Sequence, residues 1–491
     1  MKIALALLLS MPAISLAQQI AVGEYAVDAA GNGFFPAIAV GPDGALWFTD
    51  YYNDKIGRIT TAGAVTEYPI PSTPGFPWGI AAGPDGALWF TELYGDKIGR
   101  ITTAGAITEY PTQGHVSEPM GIALGPDGAL WFTEQESPHI GRITTAGAIT
   151  QYPVPSGKSA FGITLGPDGA LWFTEFAGSI GRITTAGSVT EYPVPGVTDF
   201  LSGITAGPDG ALWFTETANN QIGRITTAGA ITQFPLPTEQ YGEPQGITTG
   251  PDGALWFTQL QWSNIGRITT AGVPSWYPLP INMGSSPYSI TTGPDGELWM
   301  GANGGGKIGE AFFVTANLSV TPLSGDLGSN LTFSGSGFTP GEKVQIYISG
   351  VGSSVLASAT ADSTGAITTS ARAPQSANGP RIFVGVGQSS GKLGAASFSM
   401  TARLIVNPPS GAPGSSAAVN GYGFGSLETV AVYWNSTNTS LGSATTDVHG
   451  TFNGSSAFSF TVPTDANPGV NTVVAIGSYT GVQVDGSFTV Q

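Results

Sequence analysis

Gly-Pro-Asp-Gly occurs seven times in the chain, beginning at Gly41, Gly83, Gly125, Gly166, Gly207, Gly250 and Gly293, at steps of 42, 42, 41, 41, 43 and 43 residues. Every copy is followed by Leu-Trp-Phe-Thr or a close variant. The first six continue through Ile-Gly-Arg and Thr-Thr-Ala-Gly. A unit this short cannot bury its own apolar runs, so successive units must stack on one another. Four short apolar runs at a period near 40 describe one four-stranded blade, and the chain is predicted to form a seven-bladed β-propeller over residues 20–312.

Composition agrees with an all-β chain. Of 491 residues 72 are glycine, 41% are hydrophobic and only 10% are charged, which favours a turn-rich sheet protein over helices. Net charge is −17 and Lys/Arg form no cluster, which argues against nucleic acid and against an anionic membrane surface as partners. The absence of cysteine excludes disulfides and thiolate metal sites. Residues 1–17, MKIALALLLSMPAISLA, carry one lysine, a short apolar run and small residues before a cleavage point. This reads as a secretory signal peptide and places the mature protein in the periplasm or outside the cell. No run reaches the length of a membrane span.

Within a blade, Gly79-Ile-Ala-Ala reads as the inner strand and Pro84-Asp85-Gly86 as a tight turn, with proline pre-setting φ. Ala87–Thr91 reads as a second strand buried on both faces, Lys97–Thr102 as the third and Ile107–Tyr110 as the polar outer strand. The seventh unit lacks its outer strand, and residues 21–27, AVGEYAV, resemble one. The N-terminal strand is therefore expected to complete blade seven and close the ring, which removes exposed sheet edges.

Composition shifts towards Ser, Thr, Gly and Ala near Ala311, and a longer repeat begins. Leu318, Gly335 and Val344 each recur in context 86 residues later, at Leu404, Gly421 and Val430. Two immunoglobulin-like β-sandwiches are expected, over residues 315–401 and 402–491.

Two sets of repeated positions should meet at one face of the propeller. The loop entering each inner strand carries Pro-x-Gly-Ile or a relative, with x being Ala37, Trp78, Met120, Phe161, Ser202, Gln245 and Tyr288. The second strand ends in Asp50, Glu92, Glu134, Glu175, Glu216 and Gln259. The first set predicts an aromatic and apolar channel mouth. Trp78, Met120, Phe161, Gln245 and Tyr288 would bind a small-molecule, peptide or glycan ligand there. The second set predicts a nearby carboxylate ring. Glu92, Glu134, Glu175 and Glu216 either hold a divalent cation or brace the loops through hydrogen bonds. His115 and His139, with Glu134, could bind a metal or serve as acid and base; otherwise they read as solvated loop histidines, and His449 reads as incidental. The turn aspartates read as structural, and Arg58, Arg100, Arg142, Arg182, Arg224 and Arg267 are expected to bridge to outer-strand acids such as Glu67, Glu109 and Glu191.

The phrases LWFTE, KIGRITTAGAITEYP and EPxGI, repeated from residue 20 to 310, resemble the streptogramin lyases. The resemblance implies a seven-bladed propeller that opens a cyclic depsipeptide ester by elimination with a divalent metal, usually magnesium (Mg2+). It also implies a His at the x position of blades six and seven, a Glu before the proline of blade seven, and a Glu in that blade's next loop. Here those positions hold Gln245, Tyr288, Ser286 and Asn303. Glutamine, serine and asparagine cannot remove the proton α to an ester, and an unperturbed tyrosine is a poor base at neutral pH. The tail modules resemble the bacterial immunoglobulin-like units of secreted proteins. The combined expectation is a secreted, monomeric ligand-binding protein, with a metal-assisted lyase as the alternative.

Overall fold

The computed structural model describes residues 19–27, 33–112, 117–237, 242–261, 263–279, 286–303, 305–348, 355–374, 379–425, 427–436, 438–447, 450–478 and 480–491. The proposed signal peptide, His115 and His449 lie outside the described residues. Residues 19–314 form seven four-stranded antiparallel sheets in sequence order. In one of them the strands are Pro77–Ala82, Ala87–Glu92, Lys97–Thr102 and Ile107–Pro111. Burial follows the strand order: the second strand is buried at every residue, and the outer strand is largely accessible. Ring closure is as expected. Gln19–Ala26 pairs antiparallel with Lys307–Val314 as the outer strand of the seventh sheet.

Each blade is locked internally by one repeated cluster. In the first blade, Asp43 accepts the Trp47 indole N–H at 3.0 Å through Oδ1 and the Arg58 Nε–H at 2.7 Å through Oδ2. The Arg58 guanidinium lies over the Trp47 ring, and Tyr68 of the outer strand stacks beneath it at 5.7 Å. The same Asp–Arg pair recurs at Asp85–Arg100, Asp127–Arg142, Asp168–Arg182, Asp209–Arg224 and Asp252–Arg267. This corrects the expected arginine partners. The turn aspartate is already held rigid by its own loop and by the indole, so the arginine of the third strand reaches it. Lysines at the head of that strand take the outer acids instead, Lys55 with Glu67 and Lys97 with Glu109. In the seventh blade Glu310 replaces the arginine. It is buried against the Tyr25 hydroxyl, and Tyr25 stacks on Trp299 at 5.3 Å.

Blades are joined by threonine. The Thr133 hydroxyl accepts the Gly121 N–H at 2.9 Å within its own blade and donates to the Phe161 carbonyl of the next blade at 2.6 Å. Thr49, Thr91, Thr174, Thr215 and Thr258 donate in the same way to the carbonyls of Trp78, Met120, Ser202, Gln245 and Tyr288. At the closing seam Gly301 stands where threonine would be, and Ser289 donates to the Phe35 carbonyl at 2.8 Å. Inner strands approach so closely that a Cβ on Gly79 would lie 2.4 Å from the Met120 carbonyl oxygen, so glycine is required there.

The tail forms two β-sandwich cores. In the first, strands from Ala316–Thr321 to Leu393–Met400 surround Phe333, Phe383 and Phe398. A parallel pairing of those two strands joins the layers into one sheet. The second keeps separate three- and five-stranded sheets around Trp434, Phe460 and Phe488. The first sandwich packs on blade seven, with Phe312 against Ile382 and Val384, and the Thr315 N–H donates to the Leu393 carbonyl at 2.8 Å. Among the described residues no helix is long and apolar enough to cross a membrane.

Replacing Thr133 by valine keeps the volume but leaves the Gly121 N–H and the Phe161 carbonyl buried without a partner. The expected loss is about 1–3 kcal/mol of propeller stability. Denaturant titration of Thr133→Val against Thr133→Ser checks this, since serine retains the hydroxyl; equal midpoints for the two variants would contradict it.

Candidate functional site

The mouth is created by a repeated irregularity in the inner strand. Pro77 pairs with Glu92 and Ile80 with Phe90, so Trp78 and Gly79 together face Thr91 alone. The same bulge occurs at Met120-Gly121, Phe161-Gly162, Ser202-Gly203 and Gln245-Gly246. Blade seven has a one-residue form at Tyr288. A bulge kinks the strand and re-aims the side chain it carries, and here it directs the x residues towards the propeller axis.

At the axis these side chains meet. Trp78 of blade two lies 6.0 Å from Phe161 of blade four and 6.0 Å from Tyr288 of blade seven, both edge to face. Phe34 joins them, 5.0 Å from Tyr288 and 5.7 Å from Trp78. The cluster extends on one side through Tyr51 to Phe76, and on the other from Phe161 to Phe176 and Phe200. Met120 packs into it. Of the five residues predicted to form the mouth, Trp78, Met120, Phe161 and Tyr288 are thus brought together. Gln245 lies beside them, buried, and accepts the Ser202 hydroxyl at 2.9 Å through Oε1.

The positions implied by the family resemblance can be placed as well. Ser286 and Tyr288 lie on the inner strand of blade seven, and Asn303 ends its second strand with an exposed side chain. Burial raises the Tyr288 phenol well above its ordinary range, so it stays protonated at neutral pH. Together these positions offer neutral oxygens only. That donor set fits Mg2+ poorly, since the ion is ordinarily anchored by carboxylates.

The carboxylates behave differently from the expected ring. Glu92, Glu134, Glu175 and Glu216 are fully or almost fully buried, one per blade, and each interacts with a residue of its own outer strand: Glu109, Gln151, Glu191 and Gln233. Glu134 accepts the Gln151 amide at 2.6 Å and Glu216 accepts that of Gln233, both outer-strand residues. Their strand pairs with the inner strand at the proline, not at the bulge, so their side chains point the opposite way from x. Among the described residues no group of three acidic, His or Cys side chains could hold a metal ion. Burial, then repulsion from Glu109, pushes the Glu92 carboxyl up to about 8. Burial, then Glu191, does the same for Glu175 at about 8, and burial raises Glu216 to about 7. His139 begins the third strand of blade three, where Lys55 and Lys97 stand in blades one and two, and its Nδ1 meets the Ser137 hydroxyl at 2.6 Å.

Two residues that shape the mouth escaped the sequence reading. Asp54 Oδ1 accepts the N–H groups of Gly75 and Phe76, and Asp96 Oδ1 those of Ser117 and Glu118. These bonds hold Phe76 and Glu118 at φ 50 and 44, just ahead of the mouth prolines. The available signal was an aspartate immediately before the third strand, as in Asp54-Lys55 and Asp96-Lys97.

The buried acids set a pH dependence. A carboxyl titrating at 4.5 when unfolded and near 8 when folded keeps its proton only in the folded state across that interval. The folded state then binds more protons, and stability falls as pH rises from about 4.5 to 8. Thermal melting followed from pH 5 to 8 should show a falling midpoint, with a shallower slope in Glu175→Gln. A slope unchanged by that substitution would contradict the assignment.

Comparison with known proteins agrees with this geometry. The virginiamycin B lyase family model matches residues 13–198 and 113–325, and a macroglobulin-like domain model matches residues 315–400. A streptogramin B lyase structure is 37% identical with a TM-score of 0.57, covering 60% of this chain and 97% of that chain. Virginiamycin B lyase from Staphylococcus aureus is 39% identical with a TM-score of 0.57, covering 60% of this chain and 100% of its own. A catalytically inactive variant of that enzyme, solved with quinupristin, is 38% identical over the same shares, with the same TM-score. The curated virginiamycin B lyase of Bordetella parapertussis is 50% identical over 40 residues, which is 8% of this chain and 13% of that protein. With its sevenfold sheet repeat and these matches across the whole propeller, the chain belongs to the virginiamycin B lyase family.

Proposed function

We propose that this protein is a secreted, ligand-binding member of the lyase family, in which the channel mouth recognises a small-molecule, peptide or glycan ligand without opening it. The observation that carries this reading is the aromatic cluster of Phe34, Trp78, Phe161 and Tyr288 across the axis. Elimination needs a base beside the ester's α-carbon. The family positions supply a glutamine bonded to Ser202 and a phenol held neutral by burial. Edge-to-face rings, by contrast, present a large, rigid contact surface at low entropic cost. The lysine, short apolar run and small residues of segment 1–17 support export, and the sandwich seated on blade seven supports a role as spacer or adhesion unit.

Family membership favours a second reading, in which the chain retains elimination of a cyclic depsipeptide ester through residues other than the family's own. One assay separates the two. Purified protein incubated with quinupristin and magnesium is analysed by chromatography and mass spectrometry, since ring opening by elimination leaves the mass unchanged but shifts retention and fragmentation. The expected result is intact cyclic antibiotic after long incubation at high protein concentration. A linear product that disappears on chelation would overturn the proposal. The mouth itself is tested by screening aromatic, peptide and glycan probes by tryptophan fluorescence, where Trp78→Ala and Tyr288→Ala should each weaken a bound probe by at least tenfold.

A further inference from the structure

The rim of the mouth is chemically lopsided. Tyr52 and Tyr94 are 58% and 54% exposed, and they are the only exposed aromatic residues among the described large hydrophobic side chains. Both stand on the same face, each two residues after its second strand ends. They are rooted in the buried cluster. Tyr52 lies 5.0 Å from Tyr51, Tyr51 lies 4.9 Å from Phe76, and Tyr94 meets Phe76 edge to face at 5.4 Å.

One blade further on, the same two backbone positions carry acids. Glu118 precedes the mouth proline as Phe76 does, with the same left-handed backbone and the same aspartate clamp, and Glu136 takes the place of Tyr94. The repeat therefore sets Glu118 beside Glu136 as it sets Phe76 beside Tyr94. Glu118 is half-buried, Glu136 is exposed, and neither has an ion-pair partner among the described residues. Their mutual repulsion, after burial, raises the Glu118 carboxyl above its usual range. The loops 50–54, 70–78, 92–96, 112–120 and 134–138 contain no lysine or arginine. Lys55 and Lys97, which open the third strands directly after two of these loops, pair with Glu67 and Glu109 on the outer strands.

We propose that the exposed Tyr52–Tyr94 faces and the Glu118–Glu136 pair form one subsite, which takes the guanidinium or ammonium group of a cationic peptide side chain at the edge of the aromatic mouth. This rests on the ligand-binding reading above and names its ligand class. Aromatic faces attract an organic cation through the ring quadrupole. An unpaired carboxylate pair adds charge-assisted hydrogen bonds, which a planar guanidinium satisfies best. A net charge of −17 steers such a ligand towards the protein and repels an anionic one. A neutral glycan would use the tyrosine faces but would leave the two carboxylates repelling each other.

The test uses the full chain and two matched probes, acetyl-Phe-Arg-Phe-amide and its citrulline isostere, titrated by calorimetry at low and at 0.5 M salt. The arginine peptide should bind at least tenfold more tightly than the citrulline peptide, with that difference shrinking in high salt. Glu118→Gln with Glu136→Gln should remove most of the difference. Tyr94→Ala should weaken the arginine peptide, and the exposed Glu136→Gln alone serves if the double variant folds poorly. Equal affinity for both peptides, lost in Trp78→Ala, would overturn the cation subsite while leaving the mouth reading intact. Binding of neither peptide would also overturn the subsite, and the fluorescence screen would then judge the mouth on its own.

Discussion

The fold depends on a threonine hydroxyl that is shared between neighbouring blades. It accepts an N–H from the bulge of its own inner strand and donates to the carbonyl of the bulge in the next. One oxygen thereby satisfies two buried backbone groups and sets the spacing of adjacent inner strands. Because both partners are main-chain atoms, the contact is indifferent to the side chain at the bulge. It requires only that the following residue be small, and glycine meets this wherever the inner strands close to within van der Waals distance. At the seam the device is rebuilt from the other strand, with Ser289 supplying the hydroxyl that Gly301 cannot.

That indifference lets the side chain at the bulge vary without disturbing closure of the ring. Residues at the bulge contribute little to closure, so Trp, Met, Phe, Ser, Gln and Tyr can occupy equivalent positions on a single scaffold. Their freedom is what lets the mouth change its chemistry. In this chain the substitutions tilt one way: aromatic rings gather from blades one, two, four and seven until they touch across the axis. The polar pair Ser202–Gln245 marks the opposite wall.

Charge is distributed by the same repeat logic. The turn aspartate, the second-strand tryptophan and the third-strand arginine satisfy one another in six blades, which uses most of the chain's arginine inside the scaffold. Few cations remain for the surface or for the acids buried beneath the loops. Burial, and then the outer-strand acids Glu109 and Glu191, raise the Glu92 and Glu175 carboxyls to about 8, so both hold their protons at neutral pH. An acidic exterior and a protonated interior layer follow from the same shortage of basic residues.

Much of this was legible in the repeat. Period, strand order, the doubly buried second strand and the closing role of the N-terminal strand follow from apolar spacing and turn chemistry, which are local properties of the chain. The convergence of Trp78, Phe161 and Tyr288 could be anticipated because they share one repeat position. The direction of the second-strand carboxylates could not, since it depends on a bulge that shifts the inner strand's pairing by one residue relative to theirs. Nor could the arginine partners, because only the strand register sets Arg58 opposite Trp47, whose indole Asp43 holds, and leaves Glu67 opposite Gly57 on the other face of the sheet. The sequence alone determined how many blades form and which positions face the axis, because periodicity and glycine placement act locally. Only the tertiary structure decided which side chains meet there, which acids are buried, and which pair at the rim is left facing solvent, because those outcomes depend on neighbouring blades that are far apart in the chain.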